Sequence, residues 1–232
     1  MRGEETGLGE LLDDRRLQSY GLFLMSWVHT TLGELDIAIE RGEQSLALAA
    51  DPVNACYATG LLGYACLEKG NEERGISLLE LAVRDLERFD FRQWLGWFTI
   101  LLANAELRHE RLGTARALAN RGLTIVTDAG FRAAIGWARH LLGRTAVAEG
   151  ALQTADTELT EAFRTFGAIE APFEQARVRL DLAALARTRG EACIAAEHLQ
   201  AASRSFSELD VPVWAARIES LASQLGISSI MT

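Results

Sequence analysis

The 232-residue sequence predicts an all-α solenoid, in which about five helix hairpins repeat with a period of about 40 residues and a C-terminal capping helix closes the array. Three observations predict it. Alanine, leucine, arginine and glutamate dominate and only three prolines interrupt them, which favours helix. Small residues recur in three columns at a fixed interval. Glycines stand where hairpin turns are needed.

The first column is Ser26, Gly63, Ala103, Gly143 and Ala183, preceded by Met25, Leu62, Leu102, Leu142 and Leu182. Twelve positions on lies a second column, Ala38, Gly75, Ala115, Ala155 and Ala195; seven further lies a third, Ser45, Ala82, Gly122, Ala162 and Ala202. The interval between copies is 37 residues once and 40 thereafter. Antiparallel helices whose axes approach to about 8 Å need small side chains at the crossing. The first two columns therefore pair helices within a hairpin, and the third lets the second helix accept the next copy. A single hairpin cannot cover its own apolar face, so the copies must stack.

Each element follows from this register. First helices are expected near 16–32, 53–69, 92–110, 131–149 and 172–189, with partners near 34–49, 72–88, 114–127, 152–166 and 191–207 and a lone cap near 211–225. Pro52, Pro172 and Pro212 each stand eleven residues ahead of a first-column position (Ser223 by extension for the last), where a first helical turn tolerates a missing N–H. Phe91-Arg92 and Phe131-Arg132 take the neighbouring place in two other copies. Gly33, Gly70, Gly150 and Gly190 suit left-handed helix ends. The third copy has Glu110 there and its glycine displaced to Gly113, so a turn of different shape is expected. Residues 1–15 read as a lead-in, 16–226 as the repeat domain and 227–232 as a tail.

Composition excludes several functions. A net charge of −9 argues against a direct nucleic-acid binder, which needs a basic footprint. Three cysteines (Cys56, Cys66, Cys193) without metal-ligand spacing fit a reducing, cytoplasmic setting. No apolar run reaches the length of a membrane span, and the acidic N-terminus MRGEETGLGE does not read as a secretory signal. His29, His109, His140 and His198 are scattered, no GxSxG elbow is present, and Asp13-Asp14 and Glu72-Glu73 sit where acids favour helix starts. Neither a catalytic site, a metal site nor a cofactor is therefore expected.

The skeleton Leu62-Gly63, Gly75, Ala82, repeated in Leu142-Gly143, Ala155, Ala162, resembles the tetratricopeptide repeat (TPR). The resemblance implies a right-handed superhelical solenoid of TPR-like hairpins whose first helices line a concave groove that receives a peptide or partner segment. Two features depart from that family: the period of 40, and Leu22, Thr59, Thr99, Arg139 and Arg179 where an aromatic is usual. The longer period, and the segment 171–217, resemble the TPR-like sensor arms of signal-transducing ATPases, namely maltose-regulator and LuxR-like transcription activators and cyclase-linked ATPases. No GxxxxGK[ST] loop of such ATPases is present, and no helix-turn-helix is recognisable. A free-standing repeat protein and an isolated sensor-arm piece both fit.

On that resemblance the groove-facing row lies six residues before the first column: Tyr20, Tyr57, Trp97, Trp137, Arg177 and Arg217. Trp27, Tyr64, Asn104 and Arg144, one residue after it, join the row, with His140 nearby. Tyrosine and tryptophan are common interface anchors, and arginines hold carboxylates through charge-assisted bonds. Aromatics at helical spacing also pack between helices, and the arginines have Asp181, Glu174 and Glu219 within reach. The sequence thus points to a non-enzymatic scaffold or regulatory module binding a protein or peptide with acidic and apolar groups. A small-ligand sensor arm and a self-assembly module, giving a homo-oligomer, are the alternatives.

Overall fold

Helices α1 (Arg15–Leu32) and α2 (Leu35–Leu48), α3 (Pro52–Glu68) and α4 (Glu72–Phe89), α5 (Arg92–Arg108) and α6 (Leu112–Asp128), α7 (Arg132–Ala148) and α8 (Leu152–Ala168), α9 (Pro172–Thr188) and α10 (Ala192–Glu208), and the single α11 (Val213–Gln224) succeed one another with turns of a few residues. The computed structural model describes residues 14–211, 213–224 and 226, and among them there is no strand. The first thirteen residues of the expected lead-in, Pro212, and the expected tail lie outside the described residues. No helix among the described residues is long and apolar enough to cross a membrane.

The chain divides into two compact units, Met1–His109 and Glu110–Thr232. In the first, α1 packs on α2 and α3 on α4, while α3 also packs on α1, α2 and α5. In the second, α7 packs on α6 and α8, α9 on α8 and α10, and α11 on α10.

All fifteen column residues are buried. The Ser26 hydroxyl donates to the Ala38 carbonyl at 2.7 Å, tying the first column to the second across α1 and α2. In the next hairpin Gly63 and Gly75 meet at the same crossing, and a β-carbon on Gly75 would lie 2.7 Å from Leu67 Cγ. In α7 a β-carbon on Gly143 would lie 2.6 Å from Leu159 Cγ. The third column behaves differently in the first hairpin. Ser45 Oγ donates back to the Ser19 carbonyl at 2.8 Å, within its own hairpin. It is Gly42, three residues earlier, that receives Leu62 of α3. Between first helices, Gly60 of α3 lets Phe98 of α5 lie on the backbone; a β-carbon there would fall 2.1 Å from the ring.

The turns repeat as strictly as the columns. Gly33, Gly70, Gly150 and Gly190 have φ of 80, 88, 75 and 82°. Glu110 takes the same left-handed conformation at φ 58°, so the expectation of a differently shaped third turn is corrected. The cost of a left-handed non-glycine residue, roughly 1–2 kcal/mol, is small beside the packing that holds both neighbouring helices. Gly113 lies inside α6 with nothing within 4 Å of its missing β-carbon. Between hairpins a second left-handed series, Asp90, Gly130, Glu170 and Asp210, runs at the 40-residue spacing. The residue after each donates to the carbonyl five back, as in Ala171 to Phe166 at 2.9 Å.

The 37-residue interval has a structural basis. Helix α2 has 14 residues where α4, α6, α8 and α10 have 17 or 18, and it ends at Ala49 without a left-handed residue. Pro52 and Pro172 are the first residues of α3 and α9, and Asp51 caps α3 by accepting from the Asn54 N–H at 2.9 Å. At the far end, Trp214, Ile218 and Ala222 of α11 are buried, Ala222 against Ala183, Ala186, Ala195 and Leu199.

Candidate partner-binding site

In the first unit four of the expected groove residues, Tyr20, Trp27, Tyr57 and Trp97, join one ring cluster. Tyr57, Tyr64 and Trp97 are buried, Trp27 and Asn104 are half-buried, and Tyr20 is 42% exposed. Phe23, fully buried, contacts Tyr20 at 4.5 Å and Tyr57 at 5.8 Å between ring centres. Trp27 stacks at a tilt on Trp97 at 4.7 Å. Burial, with a smaller push from Tyr20, moves the Tyr57 phenol up to about 12, so it stays protonated. The hub of the cluster is Trp94, which touches Phe23, Tyr57, Trp97 and Phe98.

In the second unit the expected residues come together around two further side chains. Arg177 of α9 has its guanidinium carbon 4.8 Å from the Trp137 ring of α7 and 5.5 Å from the Trp214 ring of α11. Arg217 stacks on Trp214 at 4.3 Å. Phe173 and Phe206 back Trp214 at 5.4 and 4.9 Å. The row from Trp137 through Arg177 to Arg217 is thus a ladder of alternating cationic and aromatic planes, each contact a cation–π attraction.

Asp181 of α9 gathers the remaining residues. His140 Nε2 lies 2.5 Å from its Oδ2, and Arg144 Nε lies 4.0 Å from its Oδ1. Burial alone would push the Asp181 carboxyl up. The His140 hydrogen bond and the charges of His140, Arg144 and Arg177 outweigh that and hold it below its ordinary value. Arg177 also pairs with Glu174 at 3.3 Å. Two of the carboxylates within reach in the sequence, Asp181 and Glu174, therefore engage these cations.

Trp94 and Trp214 were outside the expected row, and so was Asp181 as a hub. One signal marks the tryptophans: each stands nine residues before a first-column position or its extension, Ala103 and Ser223. Among the described residues no group of three or more His, Cys, Asp or Glu could hold a metal ion. Cys56 and Cys66 are buried, and burial foremost raises both thiols; Cys193 is exposed.

No protein-family model matches this chain, and no curated protein matches it. Solved structures do. The Rap conjugation gene regulator of the plasmid pLS20, in complex with the Phr* peptide, aligns with TM-score 0.79 and 17% identity over 97% of this chain and 62% of its own. A Rap protein complexed with Competence and Sporulation Factor aligns with TM-score 0.77 and 11% identity, over 94% and 63%. TPR-like repeats of a kinesin light chain from Podosopora anserina align with TM-score 0.55 and 18% identity, over 84% and 97%. The chain spans under two thirds of the length of the two Rap chains. At these identities the likeness shows the fold: a helical repeat of the TPR-like class.

Proposed function

We propose that this chain is a non-enzymatic regulatory scaffold that binds a protein or peptide segment bearing acidic and apolar groups, with the face of α7, α9 and α11 as the site. The observation that carries the reading is Arg177 stacked between Trp137 and Trp214, with Arg217 on the far side of the ladder. A stacked guanidinium directs its N–H groups along its edge, where Arg177 already meets Glu174 and an incoming carboxylate would share the fork, while the indoles beside it offer stiff apolar surface. Arg144 and Asp181, both half-buried, supply a polar margin, and His140 is buried against Asp181. The Phr* peptide held by the pLS20 Rap regulator makes a peptide the occupant to try first. The likeness to sensor arms of signal-transducing ATPases belongs to the same proposal, as the setting in which such binding would be read out.

The test is selection from a random peptide phage library on the wild-type chain and on Trp137→Ala/Arg177→Ala/Arg217→Ala. The expected outcome is enrichment of sequences that join Asp or Glu to apolar residues, absent from the variant. The same enrichment on a variant of unchanged helicity would reject the site. A finer comparison uses Arg177→Lys, which keeps the charge and loses the planar stack. Affinity for a selected peptide should fall about tenfold.

A further inference from the structure

The hairpins α7–α8 and α9–α10 repeat at 40 residues, and one pair of side chains breaks the repetition. Arg139 of α7 donates from Nη1 to Glu158 Oε2 of α8 at 2.9 Å. At the same register α9 carries Arg179 and α10 carries His198. An acid has been replaced by an imidazole, opposite an arginine that is retained.

The consequences are visible around Arg179. Its guanidinium carbon lies over the Phe163 ring of α8, 4.7 Å from the centre. Among the described residues, no acid pairs with it. Burial, and the like charge of Arg204 on α10, both disfavour its cationic form. His198 is disfavoured as a cation first by burial and then by Arg179, with only Glu197 opposing. His198 Nδ1 is buried and has no hydrogen-bond partner. Arg179 and His198 are half-buried and Arg204 is exposed, so the group borders solvent. A cation crowded by a second cation, beside an unsatisfied ring nitrogen, is a costly arrangement until an anion arrives.

We propose that Arg179, His198 and Arg204, with Phe163 as an apolar floor, form a carboxylate-binding site separate from the Trp137–Arg177 ladder. The ligand class follows from the chain itself, since the preceding hairpin fills the same place with the carboxylate of Glu158. The incoming carboxylate accepts from both guanidinium groups, and from His198 Nδ1 when that nitrogen carries the proton. Phe163 holds the Arg179 guanidinium in place beneath it. A free dicarboxylate and the acidic side chain of a partner share this chemistry.

The test follows the His198 ring resonances by NMR, assigned by difference from a His198 variant, during titration with sodium glutarate and with the blocked tripeptide Ala-Glu-Ala. Sodium chloride at matched ionic strength is the control. Glutarate or the tripeptide is expected to shift the His198 signals and raise the melting temperature beyond the chloride effect. A preference for glutarate names a small anion as the natural source, and a preference for the tripeptide names a partner side chain. Arg179→Gln should weaken the response about tenfold, the loss of one charge-assisted contact. His198→Glu restores the pair seen at Arg139 and Glu158; it should raise the melting temperature in chloride and abolish the response. Wild-type His198 signals that do not move with either ligand would overturn the site. So would a response that persists undiminished in Arg179→Gln and His198→Glu.

Discussion

The carbonyl oxygen of Gly63 stands 2.9 Å from the point where a β-carbon on Gly75 would lie, and Leu67 Cγ stands closer still at 2.7 Å. Helices α3 and α4 are therefore in backbone contact at their crossing. Ser26 and Ala38 mark the same crossing in the preceding hairpin by a hydrogen bond.

Gly75→Ala should consequently destabilise the chain. Alanine gains up to about 1 kcal/mol of helix propensity over glycine, but forcing the crossing apart costs about 1–3 kcal/mol. Gly113→Ala, in a helix and with open space at its β-carbon, should instead stabilise by about 0.5 kcal/mol. Urea unfolding of the two variants beside wild type checks both. A Gly75→Ala chain as stable as wild type would show that the helices can separate without loss.

Asp181 predicts an acid limb. Its carboxyl is held below its ordinary value of 3.8, because the His140 hydrogen bond and nearby cations outweigh burial. A group lowered on folding contributes stability in full above the unfolded value and loses it as the pH falls through the folded one. Asp181→Asn removes that contribution. The gap in melting temperature between wild type and Asp181→Asn should be widest near about pH 6 and narrow towards about pH 3. A gap that stays constant over that range would assign the effect to packing instead.

Glu170 stands at φ 52° where the equivalent residue one copy earlier is Gly130 at φ 68°. Glu170→Gly should therefore raise stability by about 1 kcal/mol, since the left-handed cost for the side chain is relieved and the entropy penalty of glycine offsets part of it. Asp90→Gly should gain less, because aspartate tolerates this conformation better. Gly70→Ala, with no atom within 4 Å to clash, should still lose about 1 kcal/mol through its φ of 88°. Thermal melts of the three variants check the order.

The fold was legible because its determinants are local and repeated. Small residues at helix crossings, prolines at helix starts and glycines at turns all leave marks that position alone reveals. Glu110 was misread since glycine is the cheap occupant of a left-handed turn, not an obligatory one. The partner-facing residues were harder, for a physical reason. Every residue from Cys56 to Leu67 and from Leu95 to Ala103 is buried, so α3 and α5 have no outward stripe at their centres. A row counted along such helices cannot tell groove from core, and Tyr57 and Trp97 lie buried in the ring cluster. Helix α7 alternates buried and half-buried positions from Ala134 to His140, and there Trp137 keeps partial exposure. Trp94 and Trp214 were not legible because they stand on a row nine residues before the crossing, whose other members are Leu17, Asn54, Ala134 and Glu174.

Gly130 and Glu170 bend the backbone the same way one copy apart, and Phe131 and Ala171 follow them with matching bonds to Val126 and Phe166. Residues 131–170 are thereby an interchangeable cassette: excising them joins Gly130 to Ala171 and leaves α6 leading into α9 with every small residue in phase. Duplicating the cassette would lengthen the array by the same rule. The junction after α2, three residues short and without its left-handed hinge, admits no such splice, so growth and loss of modules in this architecture are confined to the later copies.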